Sequence, residues 1–193
     1  QFSVTGSFEN IQNGSIYGIL FHDFSQFRKN SSYIKQLAEY KEKGQIKKYG
    51  FSLYFAKDLE YLLENNIPFD LLQIPFSLFD QRFVKYFSIL KDKGVEIHAR
   101  SIFLNGLYFQ DPSALPDHFK ACKHKIEWLR ELKNELSIEI STICLIHVAI
   151  NEYIDKLVIG VRSAVELQRN ILNLEEVNDF SSITMQFEDL ACV

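Results

Sequence analysis

The chain is predicted to be an α/β protein built on a parallel sheet, and three observations predict it. Short apolar runs alternate with amphipathic stretches of helical period along most of the 193 residues. Several of the runs are nearly continuous in apolar residues, as strands covered on both faces are. Each run also hands over to a helix through polar residues at its carboxyl end, the edge at which parallel sheets and barrels hold ligands.

Taken in order, the first run is Ser15–His22, a strand by its apolar, β-branched and aromatic content. A helix is predicted over about Ser32 to Lys43, with Gly44 as the left-handed residue that stops it. The second run, Lys47–Ser52, leads to a helix over Ala56–Asn65 that Asn65-Asn66-Ile67-Pro68 ends. The third, Phe69–Phe76, precedes a helix from about Gln81 to Lys93, closed by Gly94. The fourth, Val95–Phe103, is followed by a loop of about a dozen residues marked by Asn105-Gly106, Asp111-Pro112 and Leu115-Pro116. Helices over about His118–Leu136 and Ile138–Asn151 come next, with Ser137 as the expected N-cap of the second. The fifth run, Lys156–Val161, opens into a helix from Ser163 to about Leu172. The tail, Asn173–Val193, is expected to be irregular with a short helix or strand near Phe187. No Pro/Gly/Ser-rich linker or repeat interrupts the chain, so residues 1–193 read as a single domain.

The totals narrow the function. Composition is that of an ordinary globular protein, 47% hydrophobic and 24% charged. A net charge of −4 with both signs interspersed gives no basic stripe for nucleic acid. The longest apolar runs, such as that around Ile143–Ile146, fall short of a bilayer span, so no membrane partner is expected. Gln1–Gly6 show neither a charged nor an apolar leader region. Cys122, Cys144 and Cys192 are odd in number and widely spaced, which reads as reduced thiols in the cytoplasm, with Cys144 in the core. No metal is expected, because the histidines lack carboxylate or cysteine partners at ligand spacing.

Polar groups recur at the strand ends: His22-Asp23, Ser52, Gln73, then His98, Arg100 and Ser101, then Gly160 to Ser163. A neutral imidazole at His22 can donate to a carbonyl oxygen, and the same letters fit a strand-end histidine bonded to backbone. Gln73 in an apolar strand requires a partner for its amide, either a bound amide or protein backbone. Arg100 calls for an anionic or aromatic partner, internal or bound. Ser163 is a plausible N-cap with Glu166 as its capping-box partner. With Arg162 beside it, that helix start suits a phosphate, although a plain capped helix explains the same residues. Neither GxGxxG nor a Walker motif is present.

Together these phrases resemble the aldo/keto reductase family from about Ser15 to Leu172. Leu20-Phe-His22-Asp23 resembles the strand ending that carries the family's catalytic histidine. Lys48-Tyr-Gly-Phe-Ser52 resembles the phrase whose serine and asparagine bind the nicotinamide carboxamide; Ser52 fits, and Leu53 stands in place of the asparagine. Gln73 matches the glutamine that completes that contact. The wording at Phe79-Asp80-Gln81-Arg82 resembles a bacterial branch associated with surface-sugar genes. Arg100-Ser101 through Asn105-Gly106 sits where the family has a nicotinamide-stacking aromatic and then a pyrophosphate loop, with Arg100 replacing the aromatic. Gly160, Arg162, Ser163, Leu167 and Asn170 follow the adenosine-phosphate segment. Arg169 stands where glutamate is common, leaving NADP versus NAD open.

The resemblance implies an oxidoreductase that reduces the carbonyl of a small aldehyde or ketone with NADP(H). His22 would be the catalytic residue here, and Ser52, Gln73, Arg100, Ser101, Gly106, Gly160, Arg162, Ser163 and Asn170 the cofactor-binding set. The family's tetrad also contains Asp, Tyr and Lys, on units before the histidine strand. Only Gln1–Gly14 precede that strand here, and Tyr17 and Asp23 do not match the vacant positions. The resemblance therefore places the chain as about the last five units of a (β/α)8 TIM-type barrel. Five strands cannot close such a barrel, so open edges and a possible homo-oligomer are expected, with this chain alone inactive. Two other readings stand beside it: a non-catalytic reductase-like module that binds nucleotide or protein, and an unrelated α/β barrel acting on a phosphorylated sugar through the Arg162 site.

Overall fold

Parallel strands added in sequence order organise the chain. The computed structural model describes residues 16–176. Ser15, Phe187 and Cys192, and the tail beyond 176, lie outside the described residues. Five strands form one sheet in the order β1 (Ile16–Phe21), β2 (Ile46–Ser52), β3 (Leu71–Pro75), β4 (Glu96–Arg100) and β5 (Lys156–Leu157). The pairings β1/β2, β2/β3 and β4/β5 are parallel. This is the predicted α/β class with its parallel sheet. The middle strands are buried almost throughout, which is why their sequences are near-continuous in apolar residues rather than alternating.

The described chain packs as two compact units. The first takes the residues up to Ile74 with Ile89–Ile97, and the second takes Pro75–Ser88 with the residues from His98 onward.

In the first unit, α1 (Phe24–Lys29), α2 (Tyr33–Glu42) and α3 (Ala56–Glu64) connect the strands. Gly44 (φ 71°) follows α2 in the left-handed region, the predicted stop, and Asn66 (φ 50°) takes that role after α3. The sequence reading missed α1, which is only six residues long. Asp23 caps it by accepting from the Ser25 N–H at 2.8 Å. Phe24 and Phe27 of α1 turn inward onto Phe51 of β2. At the amino ends of the strands lies a cluster that the sequence did not disclose. Glu96 Oε2 accepts from the Tyr17 hydroxyl at 2.5 Å and pairs with Lys48 Nζ at 2.5 Å, joining β1, β2 and β4.

The second unit departs more from expectation. The predicted helix from Gln81 to Lys93 is instead a 3-10 turn, Val84–Tyr86, followed by α4 (Phe87–Asp92). The segment Ser77–Arg82 is held out of the helix by its own polar groups. Asp80 is buried and accepts from Arg82 Nε at 2.8 Å, and the Ser77 and Asp80 backbones bond reciprocally. The Tyr108 hydroxyl donates to Ser77 Oγ and accepts from the Phe79 N–H, both at 3.1 Å. Burial pushes the Tyr108 phenol far above its ordinary pKa, so it acts as a fixed donor.

The predicted helix from His118 begins as a 3-10 turn and becomes α5 (Lys123–Leu136); α6 (Ile140–Ala149) follows, and α7 (Ala164–Glu176) closes the described chain. Ser137 is not the N-cap of α6. It is the left-handed C-cap of α5 (φ 55°), its N–H reaching the Lys133 carbonyl, and Glu139 holds the N-cap position instead. Two helices with one intervening turn need a sharp reversal at Ser137, and that demand overrides its capping preference. Cys144 is fully buried on α6, as expected.

His147, also on α6, packs its ring 5.3 Å from Phe76. Burial lowers its pKa from 6.5 to about 4. The unfolded chain therefore binds the extra proton first as pH falls. Stability from this group is complete above about pH 6.5 and is lost progressively down to about pH 4, by about 2–3 kcal/mol. Urea midpoints measured at several pH values should fall more steeply over that window in the wild type than in His147→Phe. Equal slopes would refute the assignment.

Candidate cofactor and active site

In the first unit the candidate residues stand along one strand edge. Phe21 of β1 pairs with Phe51 of β2, and Ser52 pairs with Gln73 of β3. His22 directly follows Phe21, so His22, Ser52 and Gln73 occupy neighbouring positions at the carboxyl edge. Ser52 is buried and its hydroxyl donates to Gln73 Oε1 at 3.4 Å. That weak, long contact leaves the partly exposed Gln73 amide nitrogen facing its own pairing demand. Leu53, in the place of the family's asparagine, is fully buried, and its N–H bonds the Gln73 carbonyl at 2.9 Å. Its side chain therefore serves the core, and the polar work at this edge rests on Ser52 and Gln73.

His22 is exposed at the end of β1, with its ring 6.3 Å from the ring of Tyr54. Its neighbour Asp23 is committed as the α1 cap, and hydrogen bonds from Ser25 hold its carboxyl below the usual carboxylate range. Asp23 is thus a fixed acceptor, not a proton donor. The Tyr17–Glu96–Lys48 cluster combines a phenol, a carboxylate and an amine, but Tyr17 lies five residues back along β1, about 16 Å from the His22 end. It does not fill the roles vacant beside the histidine.

In the second unit Arg100 ends β4 and donates from Nη1 to Ser101 Oγ at 3.1 Å. The loop that follows is strained: Ser101 (φ 61°), Leu104 (φ 44°), Asn105 (φ 53°) and Gly106 (φ 87°) all take left-handed backbone. For Leu104 in particular this costs on the order of 1–3 kcal/mol, a strain that clusters at ligand sites. Asn105-Gly106 announced a turn in the sequence; nothing announced Leu104, a residue type that rarely adopts this conformation.

The segment after β5 holds the remaining candidates. A Cβ on Gly160 would meet nothing within 4 Å, so the space beside its backbone is open. Ser163 caps α7 as predicted, its Oγ accepting from the Glu166 N–H at 3.1 Å. Glu166 Oε2 accepts from the Arg162 N–H at 2.9 Å and lies 3.6 Å from Arg162 Nε. The capping box is thus made, shifted by one residue at its second bond. Arg162 is nearly fully exposed, with Glu166 the carboxylate beside its guanidinium. Asn170 is buried on α7, about two turns beyond Ser163. An open glycine, an exposed guanidinium, a capped helix start and a buried amide are groups that could receive a phosphorylated nucleoside. Among the described residues no group of three or more His, Cys, Asp or Glu is placed to hold a metal ion, and no helix is long and apolar enough to cross a membrane.

Comparison with known proteins adds an independent observation. The model of the aldo/keto reductase family matches residues 3–185. No curated protein matches in sequence. Among solved structures the chain is similar to the aldo-keto reductase AKR11C1 from Bacillus halodurans. The apo form aligns with TM-score 0.74 at 19% identity, covering 97% of this chain and 66% of that one. The holo form aligns with TM-score 0.77 at 18% identity, covering 97% and 65%. A thermostable aldo-keto reductase, Tm1743, solved with the inhibitor epalrestat, aligns with TM-score 0.69 at 15% identity, covering 97% and 64%. The chain therefore spans just under two thirds of the length of these structures.

Proposed function

The chain belongs to the aldo/keto reductase family, and from that premise we propose that it binds NADP(H) and serves the reduction of a small aldehyde or ketone. NADPH, when bound, supplies the hydride. Ser52 and Gln73 hold the carboxamide, with the Gln73 amide making the hydrogen bonds that its contact to Ser52 leaves open. His22 donates a hydrogen bond to the substrate carbonyl oxygen and so orients it. In the second unit the Arg100–Ser101 pair and the turn at Gly106 take the nicotinamide and pyrophosphate side. Gly160, Arg162, Ser163 and Asn170 take the adenosine phosphate. We further propose that these 193 residues alone bind cofactor without turnover, because the tetrad Asp, Tyr and Lys have no matching positions among them. The widely spaced cysteines and the buried Cys144 thiol fit a reducing, cytoplasmic compartment.

The observation that carries this reading is the Ser52–Gln73 pair, a buried hydroxyl and an amide side by side at a parallel strand edge. Trp128 fluorescence titrated with NADPH tests it. Saturable quenching is expected, weakened about tenfold in Gln73→Leu, the loss of one or two hydrogen bonds. NADPH consumption with a small aldehyde is expected to be absent for the 193 residues. An unchanged NADPH affinity in Gln73→Leu, or no binding by the wild type, would overturn the cofactor assignment. Aldehyde-dependent turnover would overturn the claim of inactivity.

A further inference from the structure

The second unit carries an open cleft of about 340 Å³ that the proposed function does not use. It is lined by Phe109, Arg130, Lys133, Glu139, Ile140 and Ser141, among others. Its volume lies within the range of small-molecule sites.

The walls differ in chemistry. Arg130 and Lys133 stand one turn apart on α5, on the same face. Arg130 gives Nη2 to the Gln110 carbonyl at 2.9 Å, which sets the direction of the guanidinium and leaves other donors of its five for a ligand. Lys133 is paired with Glu139 at 3.1 Å, so those two charges cancel. The lining therefore carries a net charge of one, at Arg130. Phe109 leaves 48% of its surface exposed, and its ring is held 5.8 Å from the Phe103 ring. Phe109 is the last residue of the Leu104–Phe109 turn that carries the left-handed residues. The first turn of α6 opens on the same space at Ile140 and Ser141. The N-cap residue Glu139 makes no side-chain cap bond there, so the first N–H groups of the helix lack that partner.

We propose that this cleft binds a small aromatic carboxylate. The carboxylate takes the Arg130 fork in bidentate fashion, assisted by the α6 N–H groups, and the ring lies against Phe109. A single net positive charge matches a monoanion better than a phosphate dianion, whose second charge would find no cation left over in the lining once Lys133 is paired with Glu139. The ligand is thus defined by an anionic head and a flat apolar body.

The probe is benzoate, with benzamide and inorganic phosphate as controls, read from backbone amide shifts in the 15N-labelled 193-residue protein. Saturable shifts at residues 140–142 and near Phe109 are expected with benzoate, and none with benzamide. Arg130→Gln should weaken binding at least tenfold. Phe109→Ala, at a half-exposed side chain, should weaken it several-fold while leaving the fold intact, and it serves as the test if Arg130→Gln does not fold. Absence of saturable benzoate binding by about 10 mM would overturn the proposal. So would binding unchanged in Phe109→Ala, or phosphate binding as tightly as benzoate.

Discussion

Replacing Gly50 by alanine is expected to be among the most damaging single changes in this chain, costing about 4 kcal/mol or more. Gly50 lies in β2 opposite Leu71 of β3. A Cβ built on it would sit 1.6 Å from the Leu71 carbonyl oxygen and 2.7 Å from the Leu71 carbonyl carbon. Both are backbone atoms of the next strand, so no rotamer change relieves the clash; β2 and β3 must separate. Two residues on, Ser52 pairs with Gln73, so the displacement reaches the proposed carboxamide site directly. Two other glycines provide the gradient that tests the mechanism. At Gly18 an added Cβ meets the Leu71 Cδ2 at 2.7 Å, the tip of a side chain that can turn, and lies at ordinary contact distance, 3.8 Å, from the Lys48 carbonyl oxygen, so a modest loss of about 1 kcal/mol is expected. At Gly160 it meets nothing within 4 Å, and stability should be unchanged. Urea unfolding of the three variants should rank them Gly50→Ala far below Gly18→Ala, and Gly160→Ala level with wild type. A Gly50→Ala protein as stable as wild type would refute the close strand approach. If Gly160→Ala alone loses NADPH affinity without losing stability, the open space beside Gly160 is a ligand's.

Local signals carried the strand edge and the helix stops; long-range partners and strain did not show in the sequence. Gly44 and Gly94 stop their helices because glycine adopts the positive φ that the reversal needs, and both do so here at 71° and 70°. Ser163 with Glu166 was legible because a capping box is a four-residue phrase. Ser52 and Gln73 were legible because polar residues within apolar strands demand partners. By contrast, the Glu96 carboxylate joins Tyr17 and Lys48 across 79 and 48 positions of chain, and no periodicity encodes such a pairing. Ser137 misled because its preference for capping was read without the turn geometry that claimed it. The short α1 was invisible for a related reason: six residues give fewer than two turns, too few for a period, and the Asp23 cap and two inward phenylalanines define it.

Those two phenylalanines give the second large effect. Phe51 is fully buried in β2, with ring centroids 5.2 Å from Phe21, 6.0 Å from Phe24, 4.9 Å from Phe27 and 5.8 Å from Phe69. Phe51→Ala empties the centre of this aromatic cluster, and a loss of about 3–5 kcal/mol is expected from the lost transfer energy and the cavity left behind. The consequence is not uniform. The α1 helix is too short to persist without tertiary packing, and Phe24 and Phe27 are its buried side chains. Loosening α1 releases the Asp23 cap, and with it the chain that fixes His22 one residue earlier. Ser52 follows Phe51, but its strand is held by pairing on both sides, to β1 and to β3. Phe51→Ala is therefore expected to accelerate amide exchange through residues 22–29 well before it does so at residues 71–74. Phe51→Leu, which keeps most of the volume, should restore about half the stability. Uniform acceleration across both segments would mean that α1 and the sheet open as one cooperative unit, and that the aromatic cluster does not selectively hold the histidine in place.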